Sequence, residues 1–235
     1  MPARFVRKLE KFGRLSKAER QVIIDASQNT RKIAARKSIL HEEENAHTSC
    51  LILSGLACRY KIFEDGARQI VDFLVPGDFC EGDAHQPEYH LGTLSQCVIA
   101  YIDNDVLADM MDKYPRISRN LWRASKAEAA VLREWLVNIG RRPADKRVAY
   151  LICELCTRLD NSDGDVPGGC ALPVSQIELA DATALSTVHI NRVLSRLREK
   201  RLVTLQRRSI IIKDLPRLKA YAQFQDVYLQ LPKSA

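Results

Sequence analysis

The stretch SQIELADATALSTVHINRVLSRLREK, residues 175–200, limits the possible folds of this chain more than any other. Ser175 followed three residues later by Glu178 is a capping box, so a helix starts there. Ile177, Leu179 and Ala180 are its expected inward positions. That helix has to stop near Thr183-Ala184-Leu185, because Ser186 is a second N-cap residue. In the helix that follows, Val193, Leu194 and Leu197, with Val188 or Ile190, share one face. His189, Asn191, Arg192, Ser195, Arg196 and Arg198 lie elsewhere on it. Two capped helices, a turn of three to four residues and a small Ala180 where they must approach spell a helix-turn-helix.

The charge around this stretch is lopsided. Ser186 to Lys219 holds ten Lys/Arg against two acids, a net +8 that exceeds the +7 of the whole chain. Such a basic segment favours a polyanion. Downstream, LVTLQRRSIIIK (202–213) reads as a hairpin with Arg207-Arg208 at its tip, and a last helix follows Asp214. Upstream, ADKRVAYLICELCTRL (144–159) reads as a helix closed by the turn NSDGDVPGG. A basic face on one helix is commonly just solvated. A capped helix, a tight turn, a basic helix and a basic hairpin in that order point to double-stranded DNA.

Roles follow from position. Thr187, Val188 and His189 open the second helix, where base edges are met, with Asn191 and Arg192 one turn on. Arg192 can fork to guanine and Asn191 can pair with adenine or a phosphate. Ser175, Gln176 and Ser186 at helix starts, and Arg196, Arg207 and Arg208, are the expected phosphate contacts.

The rest of the chain has a different texture. Residues 1–28 are a helical lead-in, with Ser16 and Glu19 as a capping box. From Thr30 to Asp103, short runs (SCLILS, LACRYKIF, RQIVDFLV, CVIAYID) are broken at Ser54-Gly55, Glu64-Asp65-Gly66 and Pro76-Gly77-Asp78. Regular short strands of this kind predict a barrel or sandwich. Asn104 is the expected cap of a short helix ending near Lys113, and Pro115 opens a longer one. Ile117, Leu121, Ala124, Ala127 or Glu128, Val131, Leu132, Trp135 and Ile139 recur at three and four. That stripe can pack on the β-rich part or form a seam between two copies, and its length favours the seam. Gly140 should end the helix, with Arg141-Arg142-Pro143 as a hinge. The chain thus reads as α+β and divides into a β-rich sensor region with a helical lead-in (1–114), a dimerisation helix 115–140 and a DNA-binding region 141–235.

The order of β-rich region, long helix, hinge and winged helix-turn-helix resembles the catabolite-activator and fumarate-nitrate-regulator (CRP/FNR) family over essentially the whole chain. LILSGLACRYKIFEDGARQIVDFLVPGDFC (51–80) and SQIELADATALSTVHINRVLSRLREKRLV (175–203) carry the likeness. The resemblance implies a double-stranded β-helix, a jelly roll of the cyclic-nucleotide-binding kind, and a homodimer joined through the long helix. It places Thr187, Val188 and Arg192 at base-reading positions. Relatives commonly carry an acidic residue where this chain has Val188, so the half-site should differ from theirs.

The same resemblance implies an effector in the roll, and here the residues depart from it. A cyclic phosphate buried in the roll needs a paired charge. The family's Gly-Glu pair is replaced by Glu81-Gly82 and its Arg-Ser pair by Gly92-Thr93, and no arginine lies between Arg68 and Arg116. Asp78, Glu81, Asp83 and Glu88 make the loop acidic, which argues against cyclic AMP. An iron–sulfur cluster held by N-terminal cysteines is also disfavoured, since Cys50 is the first cysteine. Cys153 and Cys156 read as small core residues rather than a redox or metal pair. Glu81, Asp83, His85, His90 and Thr93, near Cys80, have a spacing that matches no metal motif and read first as a polar surface loop; if a signal enters the roll, it enters there.

No apolar run approaches the ~18 residues that cross a bilayer, and the basic N-terminus precedes no apolar stretch, so the expectation is a cytoplasmic protein with reduced thiols. No nucleophile elbow, phosphate-cradling loop or HExxH is present, and neither an enzyme nor a bound cofactor is expected. RNA polymerase enters as a further candidate partner if binding activates. The competing reading is a ligand- or redox-sensing module whose basic half docks a protein.

Overall fold

The computed structural model of the chain describes residues 2–40, 47–80, 89–159, 170–206 and 209–229. The chain folds into two compact units. The first is built mainly of Met1–Glu64 and Asp72–Ala129, the second of Asp65–Val71 and Ala130–Gln230.

The first unit opens with α1 (Ala3–Glu10) and α2 (Lys17–Ala26). The expected box at Ser16 is formed: its hydroxyl accepts from Glu19 N–H, and the Glu19 carboxylate accepts from Ser16 N–H at 2.7 Å. Strands β1 (Thr30–Ile33), β7 (Cys97–Asp103), β2 (Thr48–Ser54) and β5 (Phe79–Cys80) form one antiparallel sheet in that order. A second sheet runs β4 (Arg68–Leu74), β3 (Ala57–Ile62), β6 (His90–Thr93).

The apolar runs of β2 and β7 are nearly continuous because both their faces are covered. Cys50, Ile52, Cys97, Ile99 and Tyr101 point into a core shared with Ala57 of β3, Leu74 of β4 and Leu91 of β6. Leu51, Ala100 and Ile102, on the alternate face, pack with Phe5, Leu9, Ile23, Leu107, Met110 and Ile117 from the helices. Gly55 at the β2–β3 turn has φ +88°, and a Cβ there would lie 2.3 Å from the Gln96 carbonyl oxygen, so glycine is required.

Helix α3 (Asn104–Lys113) is capped by Asp103, whose carboxylate accepts from Asp105 N–H, rather than by Asn104. The Asn104 side chain instead accepts a hydrogen bond from the Ser49 hydroxyl at 2.7 Å. Helix α4 (Pro115–Arg141) runs one residue past Gly140. No helix among the described residues is long and apolar enough to cross a membrane.

The second unit is centred on α5 (Ala144–Leu159), which is buried without a break from Val148 to Cys156. A helix covered on all sides has no place for an unpaired charge, and Glu154 at 1% exposure is fully engaged. It accepts from Trp135 Nε1 at 2.9 Å and from the Tyr228 hydroxyl at 2.7 Å, and pairs with Arg158 at 3.3 Å. Around α5 pack β8 (Cys170–Leu172), α6 (Gln176–Thr183), α7 (Thr187–Glu199) and α8 (Leu215–Ala222). Strands β9 (Thr204–Gln206) and β10 (Ser209–Ile212) form the expected hairpin. Strand β8 adds a third strand in the order β8-β10-β9.

Candidate nucleic-acid interface

Helix α6 begins as its residues require. The Ser175 hydroxyl accepts from Glu178 N–H at 3.3 Å, and the Glu178 carboxylate accepts from Ser175 N–H at 2.6 Å. The helix ends at Ala184, which takes the left-handed conformation (φ 53°, ψ 42°) without being glycine. Such a residue stores about 1–2 kcal/mol. Nearby bonds hold the turn: Arg147 Nη1 donates to the Thr183 carbonyl at 3.0 Å, and the Thr183 hydroxyl donates to the Leu179 carbonyl at 2.6 Å. Ala184, Leu185 and Ser186 alone separate the two helices.

The Ser186 hydroxyl accepts from His189 N–H at 3.2 Å and starts α7. The choice left open by periodicity falls to Ile190: it is 0% exposed, with Val193, Leu194 and Leu197 beside it, whereas Val188 is 59% exposed. Thr187, Val188, His189, Asn191 and Arg192 are all exposed and continuous over the first two turns. Ser195, Arg196 and Arg198 are exposed behind them, and Ser186 is exposed at the cap. Ser175 and Gln176 are half-buried at the start of α6. Ile177, expected to face inward, is instead 58% exposed. The physical reason is the phase of the helix, whose buried side is taken by Glu178, Leu179, Ala180, Ala182 and Thr183. Arg207 and Arg208, assigned to the hairpin tip, lie outside the described residues.

The stripe assigned to a partner along α4 meets a different neighbour. Ile117, Ala124, Val131 and Trp135 are buried within the chain itself, and Leu121 and Glu128 are half-buried. Ile117 and Ala124 belong to the helical core of the first unit, with Leu121 packed against it, and Trp135 bonds to Glu154 in the second. Glu128 accepts from Lys8 Nζ at 3.0 Å, while Lys8 also bonds to Asp78 at 2.9 Å. Burial opposes the Lys8 charge, but Asp78 and Glu128 outweigh it and raise its pKa. Of the expected seam, Leu132 alone is exposed, at 46%. The outward apolar positions are Leu132 together with Trp122 (59%), Leu136 (74%) and Val137 (49%), the last three of which sequence reasoning passed over. Trp122, Ser125, Ala129, Leu132, Leu136 and Ile139 alternate by three and four residues, a heptad pattern visible in the sequence but overshadowed by the longer buried stripe.

In the roll, Thr93 is committed internally. Its hydroxyl donates to the Ala34 carbonyl at 2.7 Å and accepts from Lys37 N–H at 2.9 Å. A Cβ on neighbouring Gly92 would stand 3.0 Å from the Tyr60 ring. The His90 ring lies tilted against that of Tyr60, at 5.4 Å between centroids. Asp78 is 5% exposed and its second oxygen accepts from Val75 N–H at 2.8 Å, so it closes a turn rather than facing a ligand. Glu81, Asp83, His85 and Glu88 lie outside the described residues. Among the described residues no three His, Cys, Asp or Glu side chains are placed to hold a metal. All seven cysteines are buried. Burial pushes the thiol of Cys97 up to about 11 and that of Cys153 up to about 12, and raises that of Cys156 beside Cys170.

The family model for the cyclic nucleotide-binding domain matches residues 30–114. That for the Crp-like helix-turn-helix domain matches residues 146–221. The transcriptional activator protein FnrL of Cereibacter sphaeroides is 25% identical over 193 residues, covering 80% of this chain and 78% of that protein. The nitrogen fixation regulation protein FixK of Azorhizobium caulinodans is 26% identical over 197 residues, 83% of this chain and 79% of that protein. The structure of FixK2 from Bradyrhizobium japonicum superposes with a TM-score of 0.70 at 24% identity, covering 82% of this chain and 96% of that one, a likeness of fold.

Proposed function

The chain belongs to the CRP/FNR family of transcription regulators, and from that premise we propose that it binds a near-palindromic duplex as a homodimer. One observation carries this reading. A capped α7, held by a three-residue turn, exposes Thr187, Val188, His189, Asn191 and Arg192 together while burying Ile190, Val193, Leu194 and Leu197. The first two turns of a helix so mounted fit the major groove. Ser175, Gln176, Ser186 and Arg196, with Arg207 and Arg208, are assigned to phosphates.

We assign the dimer contact to the outward heptad of α4, Trp122, Ala129, Leu132 and Leu136, in place of the stripe the chain covers itself. Two copies joined there would present their α7 helices to grooves about 34 Å apart. Cyclic AMP is not the expected effector: the sequence carries neither the Gly-Glu nor the Arg-Ser pair that would hold its ribose and phosphate, and the Thr93 hydroxyl is already bonded. A signal reaching the roll would enter near Glu81, Asp83, His85 and His90. The fully buried thiols speak against a redox-sensing module. RNA polymerase remains a partner only for an activator.

Selection of bound fragments from random duplex DNA, without added ligand, tests the reading. An enriched inverted repeat with half-sites about one helical turn apart is the expected result. Recovery without sequence preference would refute it.

A further inference from the structure

Val188 is the second residue of α7, and packing does not explain it. Its exposure is 59%, whereas Ile190, Val193, Leu194 and Leu197, at 0–1%, supply the whole buried face of the helix. The Ser186 cap fixes the first turn, so the backbone aims Val188. A β-branched side chain in a helix holds one strongly preferred rotamer and presents two methyl groups as a stiff wedge. Thr187, His189, Asn191 and Arg192 around it are exposed and polar or charged.

Within the DNA-binding reading, which this inference deepens, such a wedge discriminates among base edges. The major groove displays hydrogen-bond donors and acceptors on every base pair and one aliphatic group, the 5-methyl of thymine. An aliphatic side chain pressed on a donor or acceptor removes its water and returns no bond. Pressed on the methyl, it buries apolar surface on both sides. We propose that Val188 reads the 5-methyl group of a thymine in each half-site. Val188 and Arg192 stand four residues apart, one above the other on a single helix face. That separates them by about 6 Å along the axis. With base pairs spaced ~3.4 Å apart, the thymine lies within two base pairs of the base read by Arg192.

The test starts from the site recovered by random-duplex selection. Each thymine of the half-site is replaced in turn by deoxyuridine, which deletes the methyl and leaves pairing unchanged, and Kd is measured by fluorescence anisotropy at constant salt. One symmetric position should weaken binding about fourfold per half-site, and about fifteenfold when both are replaced, the equivalent of about 0.8 kcal/mol for one buried carbon. Val188→Ala should abolish that sensitivity and leave every other position as it was. Val188→Glu should shift the preference there to cytosine, whose amino group donates to a carboxylate. Since Val188 is exposed, both variants should melt with the wild type. If a site is selected but no thymine shows methyl sensitivity, or the sensitivity survives in Val188→Ala, the inference fails and the DNA-binding reading stands. If no site is selected at all, the reading fails and the inference with it.

Discussion

Helices α4 and α7 have similar compositions and different fates. Both carry arginines among apolar residues at spacings of three and four. In α7 the apolar residues make one stripe, which the second unit covers, leaving a polar face with Val188 in it. In α4 there are two stripes. One, through Ile117, Ala124, Val131 and Trp135, is covered by the chain; the other, through Trp122, Leu132 and Leu136, is not. Periodicity therefore identifies an amphipathic helix, and only the fold decides what covers each face.

The sharpest way to break this comparison is to alter both faces of α4. Trp135→Ala removes a buried indole and leaves the Glu154 carboxylate short of a donor. It should destabilise the protein by about 3–5 kcal/mol in thermal or chemical unfolding. Leu136→Asp, one residue further on, should leave the fold of each protomer intact and convert a dimer into a monomer in sedimentation. Loss of the dimer in a well-folded Trp135→Ala, with none in Leu136→Asp, would return the seam to the buried stripe.

In the helix-turn-helix the effects are smaller. Arg192→Ala should weaken binding to the selected site by about 1–3 kcal/mol and relax choice at one base position. Equal losses on specific and random duplex would place Arg192 on a phosphate instead. Ser175→Ala removes the cap of α6 and should lower stability by about 1 kcal/mol, read as a shift in unfolding midpoint.

Least perturbing is a change of pH. A native thiol should not be alkylated at neutral pH, and denaturation should expose all seven. The unfolded thiols ionise near pH ~8.5, while burial holds those of Cys97 and Cys153 up to about 11 and about 12. The folded state therefore keeps protons that the unfolded state releases. This contribution to stability is complete below the unfolded value and is lost as pH climbs toward the folded ones. Thiol labelling of the native protein at pH 7 would contradict it.

Much of this was legible in the sequence, because local chemistry specified it. The boxes at Ser16 and Ser175, the cap at Ser186, the Ser54-Gly55 turn and the hairpin before Asp214 each depend on residues within a few positions. What escaped depends on distant neighbours. Strand β8 is three residues long and exists because β10 pairs with it. Ile177 looked like core because it is apolar, yet the phase of α6 turns it outward. Glu154 carried no signal in the sequence, since its partners Trp135 and Tyr228 are nineteen and seventy-four residues away. Thr93 stood where a ligand contact was expected, and its bonds to Ala34 and Lys37 reach residues more than fifty positions earlier in the chain.

The seven buried thiols also make this protein convenient for spectroscopy. With every native cysteine shielded, one cysteine introduced at an exposed position such as Ser195 would be the sole site open to a fluorophore or spin label. Distances between two such labels across a dimer could then be followed on and off DNA without first replacing any cysteine, and so without disturbing the cores in which they pack.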